Sequence, residues 1–223
     1  MTQTIKAIDT VYAGHRFRSR LEARWAVFFD TLGVRWEYEP QGYEVGCYET
    51  RRYLPDFLLP DSGLWVEVKG SDEAMDWTLM GDAVDGFGNH LPMSPEYRKK
   101  WGVYGGHGDE GAAVLILGSV PRHSGCDFVL VRNRKGASFD SFPLGIVFEA
   151  ALKSGLRVRG HDRNIALYDA TCGWVGGNES HLTVNGYQST RLGEWAARHS
   201  GFDYERALTA ARMARFEHGA RGR

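Results

Sequence analysis

A chain of 223 residues, 43% hydrophobic and 25% charged, has the composition of an ordinary globular protein and the length for one large domain or a domain with an appendage. Its formal net charge of −1 excludes a bulk polycation, so any nucleic-acid contact must come from locally gathered basic residues. No run approaches the roughly 18–20 apolar residues of a membrane span, the opening MTQTIKAID lacks a signal-peptide core, and Cys47, Cys126 and Cys172 form no C-x-x-C pair, so the expectation is an intracellular, cytoplasmic protein with no membrane partner.

Residues 19–32 are expected to form a helix, because Leu21, Trp25, Phe28, Phe29 and Leu32 recur at helical spacing. Ser19 and Glu22 fit the S-x-x-E capping box at its start, and Gly33 fits its stop. VRWEYE, residues 34–39, alternates Val34, Trp36 and Tyr38 with polar residues and reads as a strand. Two further runs, 52–59 and 64–69, flank the turn-forming segment Pro60 to Gly63 and read as a β-hairpin. The stretch 70–112 is glycine-rich and irregular, with one short helix started by Ser94 and Pro95. AVLILG, 113–118, suits a fully buried strand. Beyond it come a strand at 127–133, a helix at 143–155, short strands and turns over 156–189, and helices at 190–199 and 203–217. The order predicts an α/β protein whose mixed sheet has a central antiparallel hairpin flanked by helices. We expect a core over residues 1–120 and a C-terminal α/β extension over 121–223, packed on it.

The hairpin carries the chemistry. If Leu59 faces Leu64 across the turn, counting outward sets Asp56 opposite Glu67. Directly opposed residues have Cβ atoms about 4.5–5.5 Å apart, and like charges there repel. A divalent cation between the carboxylates is one economical way to offset that, since hard cations prefer oxygen ligands. Alternation puts Lys69 on the same face as Glu67, where an ammonium can orient or deprotonate a water or stabilise charge on a phosphate. The backbone carbonyl of Val68 is a further candidate metal ligand. The bland alternative for Glu67 and Lys69 is a solvent-facing ion pair of little worth. His15, His107, His123 and His161 have no metal-ligand spacing.

FRSRLEARWAVFFDTLGVRWEYEP followed by YLPDFLLPDSGLWVEVKG resembles the PD-(D/E)XK nuclease superfamily, which has a restriction-endonuclease-like core. The resemblance spans about residues 12–70 plus the AVLILG strand, and looks closest to small endonuclease-like proteins of phages and actinobacteria. It implies a nuclease dependent on Mg²⁺ or Mn²⁺, most simply a DNA endonuclease, acting in the host cytoplasm if phage-encoded. By the same resemblance Asp56, Glu67, Lys69 and the helical Glu22 form the catalytic set, with Asp56, Glu67, Glu22 and Val68 holding the metal. Glu22 also has its capping task, and the two roles are compatible. A departure follows Lys69, where relatives usually enter a regular helix and this chain is expanded and glycine-rich. Lys99 and Lys100 are candidates for a basic contribution from that region.

DNA is the expected partner, with RNA and a homodimer left open. Arg16, Arg18, Arg20 and Arg24, with His15, surround the start of the first helix and are the first candidates for phosphate contact. Arg206, Arg212, Arg215, Arg221 and Arg223 form a second basic group in the tail. The alternative is a non-cleaving nucleic-acid-binding or interaction protein on the same fold. A metalloprotease lacks any H-E-x-x-H motif here.

Overall fold

The computed structural model describes residues 9–84, 88–101, 112–122, 127–133, 137–143, 157–158, 167–169, 173–174 and 203–216. Its elements in chain order are β1 (Thr10–Tyr12), β2 (His15–Phe17), α1 (Arg20–Leu32), β3 (Glu37–Tyr38), β4 (Tyr43–Val45), β5 (Arg51–Tyr53), β6 (Phe57–Leu59) and β7 (Leu64–Val68). A short 3₁₀ turn at Asp72–Ala74 leads to α2 (Trp77–Val84), α3 (Pro95–Trp101), β8 (Ala113–Leu117), β9 (Asp127–Asn133) and β10 (Ala137–Pro143). Short strands β11 (Arg157–Val158), β12 (Leu167–Asp169) and β13 (Gly173–Trp174) pair with one another, and α4 (Tyr204–Met213) follows.

The protein is mixed α/β. Among the described residues its main sheet has six strands in the order β10-β9-β8-β7-β6-β3. The central β7–β8 pair is parallel, and the other described neighbours are antiparallel. Every residue of β7 is buried, because both sheet faces are covered. Leu64, Val66 and Val68 face one apolar layer with Trp25, Phe28 and Phe29 of α1 and Ala207, Leu208 and Ala211 of α4. Trp65 faces the other layer, with Tyr53 and with Met80, Ala83 and Val84 of α2. Burying each of Phe28 and Phe29 contributes roughly 1.5–3 kcal/mol, so α1 is fixed on the sheet by its aromatic stripe.

Helix α1 begins and ends where the sequence indicates. Ser19 caps it by accepting the Glu22 N–H at 3.2 Å, and Gly33 closes it in the left-handed region at φ 69°. The expected strand over 34–39 is shorter than its alternation suggests. Val34 donates its N–H to Phe29 O at 2.9 Å as part of the helix stop, so β3 starts only at Glu37. The run 52–59 divides into β5 and β6, which pair with different partners. Pro55 accounts for the break, since it offers no N–H and restricts Leu54 before it.

The region after Lys69 holds α2 as well as the expected α3. Asp76 accepts the Leu79 N–H at 2.9 Å as a cap for α2. The helix expected at 143–155 is corrected at its start, where Pro143 is the last residue of β10, and the rest of it lies outside the described residues. The helix expected at 190–199 also lies outside them. Among the described residues no helix is long and apolar enough to cross a membrane.

Candidate active site

Strands β6 and β7 pair Leu59 with Leu64, Leu58 with Trp65 and Phe57 with Val66, the register that the turn chemistry implies. Gly63, at φ 68°, donates to Leu59 O at 2.9 Å and closes the turn. The ladder ends at Phe57, one residue short of the expected Asp56–Glu67 pair. Asp56 lies in a bend and is 2% exposed. Its Oδ2 accepts the Val68 N–H at 2.7 Å, and its backbone carbonyl accepts the Glu39 N–H at 3.0 Å. The carboxylate thereby takes the ladder bond that a further strand residue would have made, which anchors it beside Glu67 at the carboxyl end of β7.

Glu67 is also buried. Its Oε2 accepts from the Tyr53 hydroxyl at 2.9 Å, and its Oε1 meets the Lys69 ammonium at 2.5 Å. Asp56 Oδ1 accepts from Arg18 Nη2 at 2.8 Å. Two side-chain cations therefore offset the repulsion between the carboxylates, so a metal is not required to explain their proximity. The offset is incomplete. Burial, then the charge of Glu67, pushes Asp56 up to about 7, although Lys69 and the Val68 N–H pull the other way. For Lys69, burial lowers the ammonium, and Glu67 and Asp56 outweigh it, leaving Lys69 above its usual value. In this arrangement Lys69 is a cation, suited to stabilising charge and poorly suited to accepting a proton. Burial holds the Tyr53 phenol well above its usual value, helped by Glu67, so it stays a hydrogen-bond donor.

Glu22 joins the cluster from α1. Its Oε1 accepts from Ser19 Oγ at 2.7 Å, and its Oε2 accepts from the Tyr38 hydroxyl at 2.6 Å and the Arg18 N–H at 3.2 Å. This is a shifted capping box, whose return leg reaches the Ser19 hydroxyl and the Arg18 amide. The Arg18 side chain then bridges to Asp56 and sets its Nε 2.5 Å from Glu39 Oε1. Glu39 has φ 43°, an uncommon conformation for a residue with a side chain.

The other expected contacts are distributed differently. Arg16 is exposed and pairs with Asp9, while Arg20 and Arg24 are half-buried on α1. Lys99 is exposed on α3, whose start is tied to the hairpin turn by a 2.7 Å bond from Ser94 Oγ to Pro60 O. That turn is about five strand residues, or about 16 Å, from the Glu67–Lys69 end of β7, so the structure does not gather the start of α3 into the site. The Lys100 side chain lies outside the described residues, as do His107, His123, His161, Arg221 and Arg223. In the tail, Arg212 is engaged by Pro121 O and by Thr209 Oγ1, whereas Arg206 and Arg215 are exposed.

Tyr38, Tyr53 and Glu39 are the site residues that sequence reasoning missed. Tyr38 and Tyr53 each carry a hydroxyl that must find a partner when the ring is buried. Tyr38 also stands on the apolar face of the 34–39 pattern, a signal visible in advance.

Among the described residues no three His, Cys, Asp or Glu side chains are gathered as a metal group. The donor chemistry nevertheless suits Mg²⁺ or Mn²⁺. Mg²⁺ keeps much of its water and is commonly held by only one or two carboxylates, and Asp56 and Glu67 supply hard oxygen donors. Of the Asp56 oxygens, Oδ2 is occupied by the Val68 N–H, and Oδ1 faces the half-exposed Arg18, a partner that can leave. No family model, curated protein or solved structure matches the chain.

Proposed function

We propose that this chain is a metal-dependent nuclease with a PD-(D/E)XK core, hydrolysing phosphodiester bonds, with DNA as its substrate. The observation that carries the reading is the buried Asp56–Glu67 pair with the Lys69 ammonium on Glu67, at the carboxyl ends of the parallel strands β7 and β8. Ligands of α/β sheets gather at such strand ends. Asp56 and Glu67 would hold Mg²⁺ or Mn²⁺, with the Val68 carbonyl as a further oxygen. Bound there, the cation would act as a Lewis acid on a phosphoryl oxygen and lower the pKa of a coordinated water.

The protein's own groups divide the remaining work. Tyr53 holds Glu67 in one orientation, and the Val68 N–H does the same for Asp56. Lys69 keeps its proton and places positive charge where charge builds on the phosphate. Glu22, satisfied by Ser19, Tyr38 and the Arg18 amide, positions the segment that carries Arg18. Arg16, Arg20 and Arg24 provide the neighbouring basic surface for the nucleic-acid backbone.

A second reading draws on the same ion pairs. Because Arg18 and Lys69 already neutralise much of the acidic pair, the cluster could serve as a structural network in a non-cleaving nucleic-acid-binding protein. Incubation with Mg²⁺ or Mn²⁺ and a panel of linear, circular, branched and single-stranded DNA and RNA separates the two. Cleavage of any member supports the nuclease. Binding without cleavage on all of them supports the second reading.

A further inference from the structure

Arg18 is the least buried member of the cluster. Its side chain is 56% exposed, whereas Asp56 is 2% exposed. Its guanidinium is shared between an inner and an outer carboxylate, with Nη2 on Asp56 Oδ1 at 2.8 Å and Nε 2.5 Å from Glu39 Oε1. The backbone of Arg18 is fixed independently, through its N–H to Glu22 Oε2 at 3.2 Å and Tyr38 Oη at 3.1 Å. Loss of the Asp56 contact would therefore leave the main chain anchored. Glu39 holds its place with φ 43° and its N–H on Asp56 O, so the outer carboxylate is built into the backbone geometry. Left-handed residues of this kind cost free energy and concentrate at functional sites.

We propose that Arg18 is the resident counterion of Asp56 and competes with a divalent cation for Oδ1, with Glu39 retaining the displaced guanidinium at the rim. The proposal rests on the metal-binding reading above. Oδ1 is the Asp56 oxygen left free by the Val68 N–H, and a guanidinium and a cation cannot both approach it closely. Arg18 thus limits metal affinity in the free protein, even though it belongs to the basic surface that a nuclease needs.

Calorimetric titration of the full chain with Mn²⁺, without nucleic acid, tests this on wild type, Arg18→Ala, Arg18→Lys and Asp56→Asn. Arg18→Ala should bind Mn²⁺ about tenfold more tightly than wild type, the scale of losing one charge-assisted hydrogen bond from the competing state. Arg18→Lys should fall between them, because it keeps the charge and loses the fork that spans Asp56 and Glu39. Asp56→Asn should bind least. A gain in affinity cannot arise from misfolding. Binding that is equal or weaker in both Arg18 variants, with wild type still taking Mn²⁺, overturns the proposal and leaves the metal reading standing. Failure of wild type and both Arg18 variants to bind Mn²⁺ overturns the proposal and the metal reading together.

Discussion

Asp56 is a buried carboxylate beside a second one, and it is strained when charged. Its proton is held up to about 7 by burial first and by Glu67 second. The unfolded chain releases that proton near the ordinary aspartate value of about 3.9, so between these two values the folded state holds the proton and the unfolded state does not. Stability must then fall as pH rises through that window. Thermal melts of the metal-free protein between about pH 4 and about 7, the window in which the folded and unfolded states differ in protonation, should show wild type losing stability with rising pH. Asp56→Asn should lack this component. Parallel pH curves for the two proteins would remove the strain from the account.

Glu22 gives a contrasting case at the same scale. Its two oxygens already take hydrogen bonds from Ser19, Tyr38 and Arg18. Glu22→Gln should therefore cost stability, about 1 kcal/mol for a weakened buried hydrogen bond. It should change the Mn²⁺ dissociation constant by less than about twofold. A loss of Mn²⁺ binding comparable to that of Asp56→Asn would make Glu22 a ligand instead. The sequence identified Glu22 through the capping box and the resemblance, but neither could show that a tyrosine from β3 would saturate it. Tyr53 was hidden for a similar reason, because its bond to Glu67 joins strands of two different sheets.

The hairpin of β6 and β7 is the most legible element. Turn chemistry at Pro60 to Gly63 determined its register, and period-2 alternation determined which residues share a face. Gly63→Ala tests the turn directly. At φ 68° a Cβ is strained, and the variant should lose about 1 kcal/mol of stability. An unchanged denaturation midpoint would mean the turn has another conformation in solution. Elements whose boundaries depend on tertiary partners were less legible. Strand β3 is trimmed because Val34 serves the α1 stop, and Pro55 sends two halves of one apparent strand to different sheets. Helix α2 had readable signals, an aspartate cap and apolar residues at Trp77, Met80 and Val84, masked by the surrounding glycines.

Across the whole molecule, the mixed α/β order and buried central strands followed from apolar periodicity, whereas the site depended on contacts between distant segments. Helix α4 illustrates the difference. Its arginines suggested a basic tail, yet Tyr204, Ala207, Leu208 and Ala211 pack into the same core as α1, and Arg212 is engaged by Pro121. Among the described residues, the basic surface at the site thus comes from α1 and the segment before it. The parallel β7–β8 pair brings the ends of two distant strands together, and Lys69 N–H donates to Leu117 O at 2.9 Å there. The Lys69 backbone is therefore held by the sheet, whereas its ammonium is a counter-charge of the buried Glu67, so Lys69→Met should keep the fold at a lower melting temperature. The most direct test of the nuclease reading is the cleavage rate of wild type and Lys69→Met on the nucleic-acid panel with Mg²⁺ or Mn²⁺, with melting temperature and nucleic-acid affinity measured alongside. Wild type should cleave at least one substrate, and Lys69→Met should be slower by about 10² or more, the scale of losing a positioned charge, beyond any effect of its lower melting temperature and with nucleic-acid binding largely retained. Equal inertness of both proteins on every substrate, while both still bind, would contradict it.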